Sequence, residues 1–211
     1  SNATYYDYTG TLRKSSYNLV VRSEEFDNAS WSKYQTSVVA NNIAAPNGTT
    51  TADKIVESSA NDFHALYQSV SATANTTYTQ SCYAKKGERR YIRMYVGGSS
   101  AWSSLPQATF DLQEGTVVNG TGTIEDAGNG WYRVSCTGTY GVSGGSTTFN
   151  FGPANPSNLG TVSYQGDGSS GLYVWGYQVE TGTYAGDYAK TTSSAASSAR
   201  NVAFLPDGSG N

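Results

Sequence analysis

The 211-residue sequence predicts a single all-β domain, a jelly-roll β-sandwich. Three observations predict it. Short apolar or alternating runs recur along the chain, Gly and Asn turn signals separate them, and no long segment carries a 3.6-residue period. The composition agrees. Charged residues make up 14% of the chain, which also holds 24 Gly, 17 Tyr and 4 Trp. Typical domains carry roughly 25% charge. A chain of this length buries a sizeable core without dividing.

The elements follow in order. Residues 1–16 read as a tag remnant, Ser1-Asn2-Ala3, and a polar, tyrosine-rich leader. Tyr17–Val21 opens the domain as an apolar, β-branched run. Ser23–Trp31 is the best helical candidate, one turn capped by Ser23, Glu24 and Glu25, with Trp31 closing the loop over the core. Lys54–Val56 follows the turn Pro46-Asn47-Gly48, and Ala65–Val70 alternates. Thr77–Ala84 and Arg90–Val96 flank a break at Gly87. Ala108–Leu112 and Thr116–Val118 flank the hairpin signal Gln113-Glu114-Gly115. Thr121–Asp126 leads through Gly128-Asn129-Gly130 into Trp131–Tyr140, and Thr147–Phe151 and Leu172–Val179 complete the set. This spacing indicates a sandwich or barrel rather than βαβ units. The domain is expected to span 17–192. Residues 193–211 read as a flexible tail in which Val202–Leu205 forms a short strand or docks on a neighbouring subunit.

Charge and cysteine narrow the function classes. The net charge is −3, and nucleic-acid binding normally needs a basic patch. The one basic cluster, Lys85, Lys86, Arg89 and Arg90, reads as a solvated hairpin tip, so no nucleic-acid partner is expected. No apolar run approaches the ~18 residues of a membrane span. Cys82 and Cys136 fall at inward positions of their strands and read as small buried hydrophobes. A disulfide between them requires Cα atoms closer than about 7 Å. With His64 as the sole histidine, they match no zinc pattern.

Several segments taken together are familiar. They include Asn18-Leu19-Val20 with Arg22-Ser23-Glu24-Glu25-Phe26 and Trp31; Pro46-Asn47-Gly48-Thr49-Thr50-Thr51-Ala52-Asp53-Lys54; and Thr77-Tyr78-Thr79 with Tyr83-Ala84-Lys85. Phe110-Asp111-Leu112, Gly130-Trp131-Tyr132-Arg133 and Gly166-Asp167-Gly168 follow, then the run from Leu172 to Glu180. Over about residues 17–192 the series resembles a carbohydrate-binding-module-like jelly roll of bacteriophage and prophage tail-associated proteins, of galactose-binding or concanavalin-like architecture. The resemblance implies a concave sheet available for sugar and a place in a tail fibre or tail tip. It implies a virion or extracellular setting, a bacterial or phage source, and trimeric homo-oligomers. No cofactor is expected; modules of the resembled kind commonly carry a structural Ca²⁺ near the sandwich rim, for which Glu25 and Asp53 are the candidate ligands here. Gln80 departs from the pattern, standing where a family strand carries an apolar residue.

Sugar chemistry then points to particular residues. Aromatic rings bury the apolar faces of sugars, and polar side chains pair the hydroxyls. In Arg90–Val96, alternation puts Ile92, Met94 and Val96 on the core face and Tyr91, Arg93 and Tyr95 on the other. That second face is the expected platform. Trp102, in a Gly/Ser-rich loop, is either a plug over the sandwich end or a ligand platform. Asn150 shares a face with Thr148 and is expected beside Arg93, and His64 joins the group if its strand is adjacent. Trp131 and Trp175 read as packing residues.

The expected function is a non-catalytic module that binds a cell-surface glycan or polysaccharide. One histidine and scattered acids give no positive sign of an active site. Two alternatives stand beside it: a purely structural tail or spike domain, and a polysaccharide-degrading enzyme. A lyase using His64, Tyr67 and Arg93 is one form of the latter.

Overall fold

The computed structural model describes residues 4–6, 12–14, 16–141, 144–155 and 163–197. In chain order the strands are β1 (Thr4–Tyr6), β2 (Leu12–Lys14), β3 (Tyr17–Asn18), β4 (Ser32–Tyr34), β5 (Thr36–Ile43), β6 (Ala52–Glu57), β7 (Asn61–Asp62), β8 (Ala65–Ala72), β9 (Thr76–Lys86) and β10 (Tyr91–Val96). They continue as β11 (Trp102–Ser104), β12 (Ala108–Asp111), β13 (Thr116–Gly120), β14 (Thr123–Gly128), β15 (Trp131–Tyr140), β16 (Gly145–Ala154), β17 (Tyr164–Gln165), β18 (Gly171–Thr181) and β19 (Ala196–Ser197). No helix among the described residues is long and apolar enough to cross a membrane.

Two antiparallel sheets carry the fold. The front sheet runs β13-β12-β10-β16-β8-β4; the back sheet runs β11-β15-β9-β18-β6-β5, with β14 beside β15. The central four of each are β12-β10-β16-β8 and β15-β9-β18-β6. Most neighbours in each sheet come from distant parts of the chain, β12–β13, β14–β15 and β5–β6 excepted, and successive strands mostly switch sheets. That interleaving is the jelly roll, two Greek keys folded on each other.

The core lies between the sheets. From the front sheet Leu66, Ile92, Met94, Phe149 and Phe151 point inward; from the back sheet Cys82, Val134, Leu172, Val174 and Tyr177 meet them. Phe26 and Trp31 close one end: Trp31 lies 5.5 Å from Phe151 and 5.3 Å from Tyr177, edge-on to both. A bulge between Trp175 and Gln178 inserts Gly176 at φ 63. The extra residue shifts the side-chain phase, so Trp175 faces out while Tyr177 faces in. Gly176 supplies the positive φ without a steric cost.

Gln80, which breaks the apolar pattern, is fully buried. Its Nε2 donates to the Pro106 carbonyl at 2.6 Å, and its Oε1 accepts the Tyr177 hydroxyl at 2.5 Å. A polar core residue is tolerated here because both ends of its amide are used. Cys82 and Cys136 are buried free thiols, not a disulfide. Burial pushes both thiols well up.

Three expectations need correction. Ser23–Trp31 is not helical. The chain passes through successive turns, with backbone bonds from Glu25 to Arg22, Asn28 to Glu25 and Trp31 to Asn28. The Phe26 N–H, which an α-helix would give to the Arg22 carbonyl, goes to the Asp53 carboxylate instead, so no helical ladder forms. β5 lies between the expected first and second strands, and its polar sequence hid it. The body also extends beyond residue 192, because β19 pairs with β3, and β1 pairs with β2 inside the supposed leader. Val202–Leu205 lies outside the described residues.

Candidate functional site

Period-two alternation holds along β10. Ile92, Met94 and Val96 are buried, while Tyr91, Arg93 and Tyr95 are half-buried on the outer face of the front sheet. Register extends that face across the sheet, since directly opposed residues point the same way. Tyr95 opposes Asn150, Asn150 opposes Tyr67, and Tyr67 opposes Ser32. Arg93 lies between Thr109 and Gly152. The row therefore runs aromatic, amide, aromatic, hydroxyl across four strands, with a guanidinium beside it.

At the β4 end the face gains an aromatic edge. Tyr34 and Phe63 stack with centroids 4.1 Å apart and planes 9° from parallel. The Tyr34 hydroxyl donates to Asp62 at 2.9 Å, and that carboxylate holds the phenol pKa up. Asp62 also accepts the Phe63 N–H at 2.8 Å.

The electrostatics of the centre are unusual. Arg93 lies over the Tyr95 ring at 5.7 Å, a cation–π contact. Burial holds the guanidinium below its ordinary value. Burial pushes the Tyr95 phenol well up; Arg93 pulls it back, while Tyr67 and Asp62 push it further. Arg93 Nη1 and Tyr95 Oη are shielded from water and have no hydrogen-bond partner among the described residues.

The outer face of the back sheet is roofed. Its Trp131 indole donates to the Ala44 carbonyl at 3.2 Å, and its Trp175 indole donates to Thr51 at 3.1 Å. Tyr188 packs on Trp175 at 4.8 Å, and Thr79 donates to the Gly182 carbonyl at 2.8 Å. These contacts place the 44–51 and 182–188 segments over the strands. Two cavities lie on that side. One of about 340 Å³ is lined by Thr123, Glu125, Arg133 and Tyr184. The other, of about 440 Å³, is lined by Ala45, Lys85, Trp131 and Tyr173. The front-face tyrosines border neither.

Of the six residues expected to bind ligand, the structure brings four together: Tyr91, Arg93, Tyr95 and Asn150. Asn150 is buried, and its amide nitrogen donates to the Thr148 carbonyl and hydroxyl, both at 3.1 Å. Trp102 does not join them. Its ring lies in the core against Tyr140 at 5.3 Å and Phe149 at 5.7 Å, which makes it the plug. His64 is also elsewhere. It is buried, with Nδ1 2.7 Å from the Gln35 carbonyl, Nε2 3.4 Å from the Tyr164 carbonyl, and the Tyr164 ring 4.6 Å away. Tyr34, Asp62 and Phe63 escaped the sequence reading because pairing of distant strands brings them to the face. Tyr67 carried a legible signal: it is the aromatic on the polar phase of Ala65–Val70.

The basic cluster is dispersed into separate pairs. Lys85 donates to the Asn129 carbonyl and Lys86 to Gln113, while Arg89 pairs with Glu57 and Arg90 with Asp111. Glu57 also accepts the Tyr164 hydroxyl at 2.6 Å and the Asp167 N–H at 2.9 Å. Burial pushes its carboxyl up, but these donors outweigh burial and the net pKa is lowered.

The candidate calcium ligands have protein partners. The two Asp53 oxygens accept the N–H groups of Phe26 at 2.9 Å and Asn41 at 2.8 Å. Glu25 pairs with Arg22 at 3.0 Å. Among the described residues, no group of three or more His, Cys, Asp or Glu is placed to hold a metal ion.

Asp53 has a consequence for stability. Burial raises its pKa to about 6 against the pull of those two N–H groups, with Asp27 and Glu25 adding repulsion. The unfolded value is about 3.9. Between these values the folded state holds the extra proton, so this contribution is full below about pH 4 and is lost as pH rises towards 6. Glu57, Glu88 and Asp111 have lowered values, so theirs is present above about pH 4 and is lost on acidification. The two trends oppose each other, so stability should be greatest where they meet, at about pH 4–5, and fall on either side. Carbon-13 NMR titration of the Asp53 carboxyl should give a midpoint near 6; a midpoint at the unfolded value refutes the buried-acid account.

No protein-family model matches this sequence, and no curated protein matches it. Solved structures do resemble the chain. A tailspike protein 4 enzymatically active domain from bacteriophage CBA120 matches with TM-score 0.47 and 12% identity over 78% of this chain. This chain spans only 21% of that one. A CBM4 module matches with TM-score 0.43 and 15% identity, covering 72% of this chain and 86% of the module. TmCBM61, solved with β-1,4-galactotriose, matches with TM-score 0.42 and 12% identity, covering 77% of this chain and 97% of the module. Likeness at these identities is one of fold, and the strand order is what makes this chain a jelly-roll sandwich.

Proposed function

We propose that this chain is a non-catalytic carbohydrate-binding module whose outer front-sheet face, around Tyr67, Tyr91, Arg93, Tyr95 and Asn150, takes a glycan chain. One observation carries the reading. Tyr67, Tyr91, Arg93 and Tyr95 stand half-buried together on one outward sheet face, and Arg93 and Tyr95 there hold polar atoms without a hydrogen-bond partner among the described residues. Buried polar atoms in folded proteins are nearly always paired. Sugar hydroxyls both donate and accept, and tyrosine rings cover the apolar faces of pyranoses.

The non-catalytic part rests on how the acids are used. Asp62 is bonded to Tyr34 and the Phe63 N–H, and Asp111 is bonded to Arg90 and the Gln113 N–H. A glycosidase needs one carboxylic acid and one carboxylate set across a cleft. His64, the base of the lyase alternative, lies buried between two carbonyls away from Arg93. The sequence resemblance supports the wider setting: a tail fibre or tail-associated protein of a phage or prophage, trimeric, extracellular or on the virion. The large apolar side chains exposed among the described residues, Tyr17, Val39 and Tyr184, lie on three different elements rather than on the front face. That favours sugar binding over packing of this face against another subunit.

Retention on an array of bacterial surface polysaccharides tests the proposal. The wild type should bind at least one, and Tyr95→Ala should lose that binding at least tenfold while its thermal unfolding stays cooperative. Undiminished retention by a folded Tyr95→Ala protein refutes the assigned face.

A further inference from the structure

Arg93 differs from the other arginines whose side chains are described, Arg22, Arg89, Arg90 and Arg133. Arg22 pairs with Glu25, Arg89 with Glu57, Arg90 with Asp111, and Arg133 donates to the Gly186 carbonyl. Arg93 donates to none of the described residues; its one partner is the Tyr95 ring. Its cross-strand neighbours supply no acceptor side chain that reaches it. Gly152 has none, and Thr109 makes no bond to it. Half-burying a guanidinium without a counter-charge is costly, and proteins ordinarily avoid it. Two acids lie near this cluster, and both are engaged: Asp62, which influences Tyr95, is bonded to Tyr34 and the Phe63 N–H, and Asp111, opposite Tyr91 across the strands, is bonded to Arg90 and the Gln113 N–H. The front face thus offers one uncompensated positive charge between the rings of Tyr91 and Tyr95.

We infer that the glycan is acidic: a polysaccharide bearing uronic-acid residues, whose carboxylate pairs with Arg93. This rests on the binding face proposed above and names its ligand class. The guanidinium fork matches a carboxylate bidentately. A uronate carboxylate leaves the pyranose ring near its equator. A ring lying on Tyr95 or Tyr91 therefore directs that carboxylate sideways along β10, where Arg93 stands. A phosphodiester lies between sugars, away from the stacked ring. The overall charge of −3 opposes an anionic polymer only at long range, and salt near 0.15 M screens it beyond about 8 Å.

Affinity electrophoresis tests this on the whole chain. The gels contain alginate, polygalacturonate or hyaluronan, each native and after chemical reduction of its carboxyl groups, beside neutral galactan, mannan and β-glucan. At least one native polyuronate should retard the protein, and its reduced form should retard it at least tenfold less. Arg93→Met should lose the retardation and Arg93→Lys should keep part of it. Arg93→Met should also melt at or above the wild-type temperature, because the substitution removes an unpaired, half-buried charge; a structural arginine would lower it. Equal retardation by native and reduced polymers, or by neutral polymers alone, overturns the acidic-ligand inference and leaves sugar binding standing. A further gel contains a phosphodiester-linked wall teichoic acid, and retardation there without retardation by any polyuronate overturns the carboxylate assignment. Retardation by none of the polymers overturns both this inference and the binding reading.

Discussion

Phe151→Ala is expected to destabilise the protein by about 3–5 kcal/mol, the range for deleting a fully buried phenyl ring. The ring sits on β16 in the middle of the front sheet, opposed by Met94 on one side and Leu66 on the other. It stacks on Tyr177 of the back sheet at 4.2 Å and meets Phe26 edge-on at 5.6 Å and Trp31 at 5.5 Å. Three aromatic rings, one from the back sheet and two from the first loop, thus share it, so no single neighbour can collapse into the space. The melting temperature should fall by roughly 10 °C, given about 2–4 °C per kcal/mol at this chain length. Phe151→Leu, which keeps most of the volume, should cost about 1–2 kcal/mol. Urea denaturation of both variants checks the ordering. A loss below about 1 kcal/mol for the alanine variant contradicts the central place given to this ring.

Glu57→Ala carries the second large effect, expected at about 2–4 kcal/mol. Removing one partner of a buried ion pair costs about 3–5 kcal/mol. The lower figure allows for Arg89, whose side chain keeps 26% exposure and can recover water, whereas the Glu57 side chain has none. Three donors lose their acceptor together: Arg89, the Tyr164 hydroxyl and the Asp167 N–H. They fasten the end of β6 to the turn after β9 and to the segment before β18. Glu57→Ala with Arg89→Ala should be less destabilised than the sum of the single variants, because the orphaned charge is gone. Strict additivity in urea midpoints contradicts a direct pair.

The sequence and the structure agree where burial is local and regular. β10 reads directly: three apolar and three polar residues alternate, and the sheet places them on opposite faces. Cys82 and Cys136 likewise fall inward by phase. Agreement fails where the backbone breaks its own period. β5 carries Thr, Ser and Asn and a left-handed Asn41, with a register shift between Val39 and Ile43, so it shows no apolar stripe. The bulge at Gly176 inverts the phase of β18, which alternation alone cannot reveal. Trp102 was ambiguous for a different reason. A tryptophan in a Gly/Ser-rich loop has no period to read, and only its packing against Tyr140 and Phe149 shows that it plugs the core. The tyrosines and arginine of β10 marked the candidate face, but Tyr34, Asp62 and Phe63 reach it through pairings between distant segments.

In the proposed function the open front face, and not the roofed back sheet with its two cavities, holds the sugar. Amide and side-chain NMR shifts mapped during titration with an oligosaccharide cut from a retained polysaccharide test it most directly. The account predicts shifts concentrated at Tyr67, Tyr91, Arg93, Tyr95 and Asn150. Shifts concentrated instead at Thr123, Glu125 and Arg133, or at Lys85, Trp131 and Tyr173, contradict it.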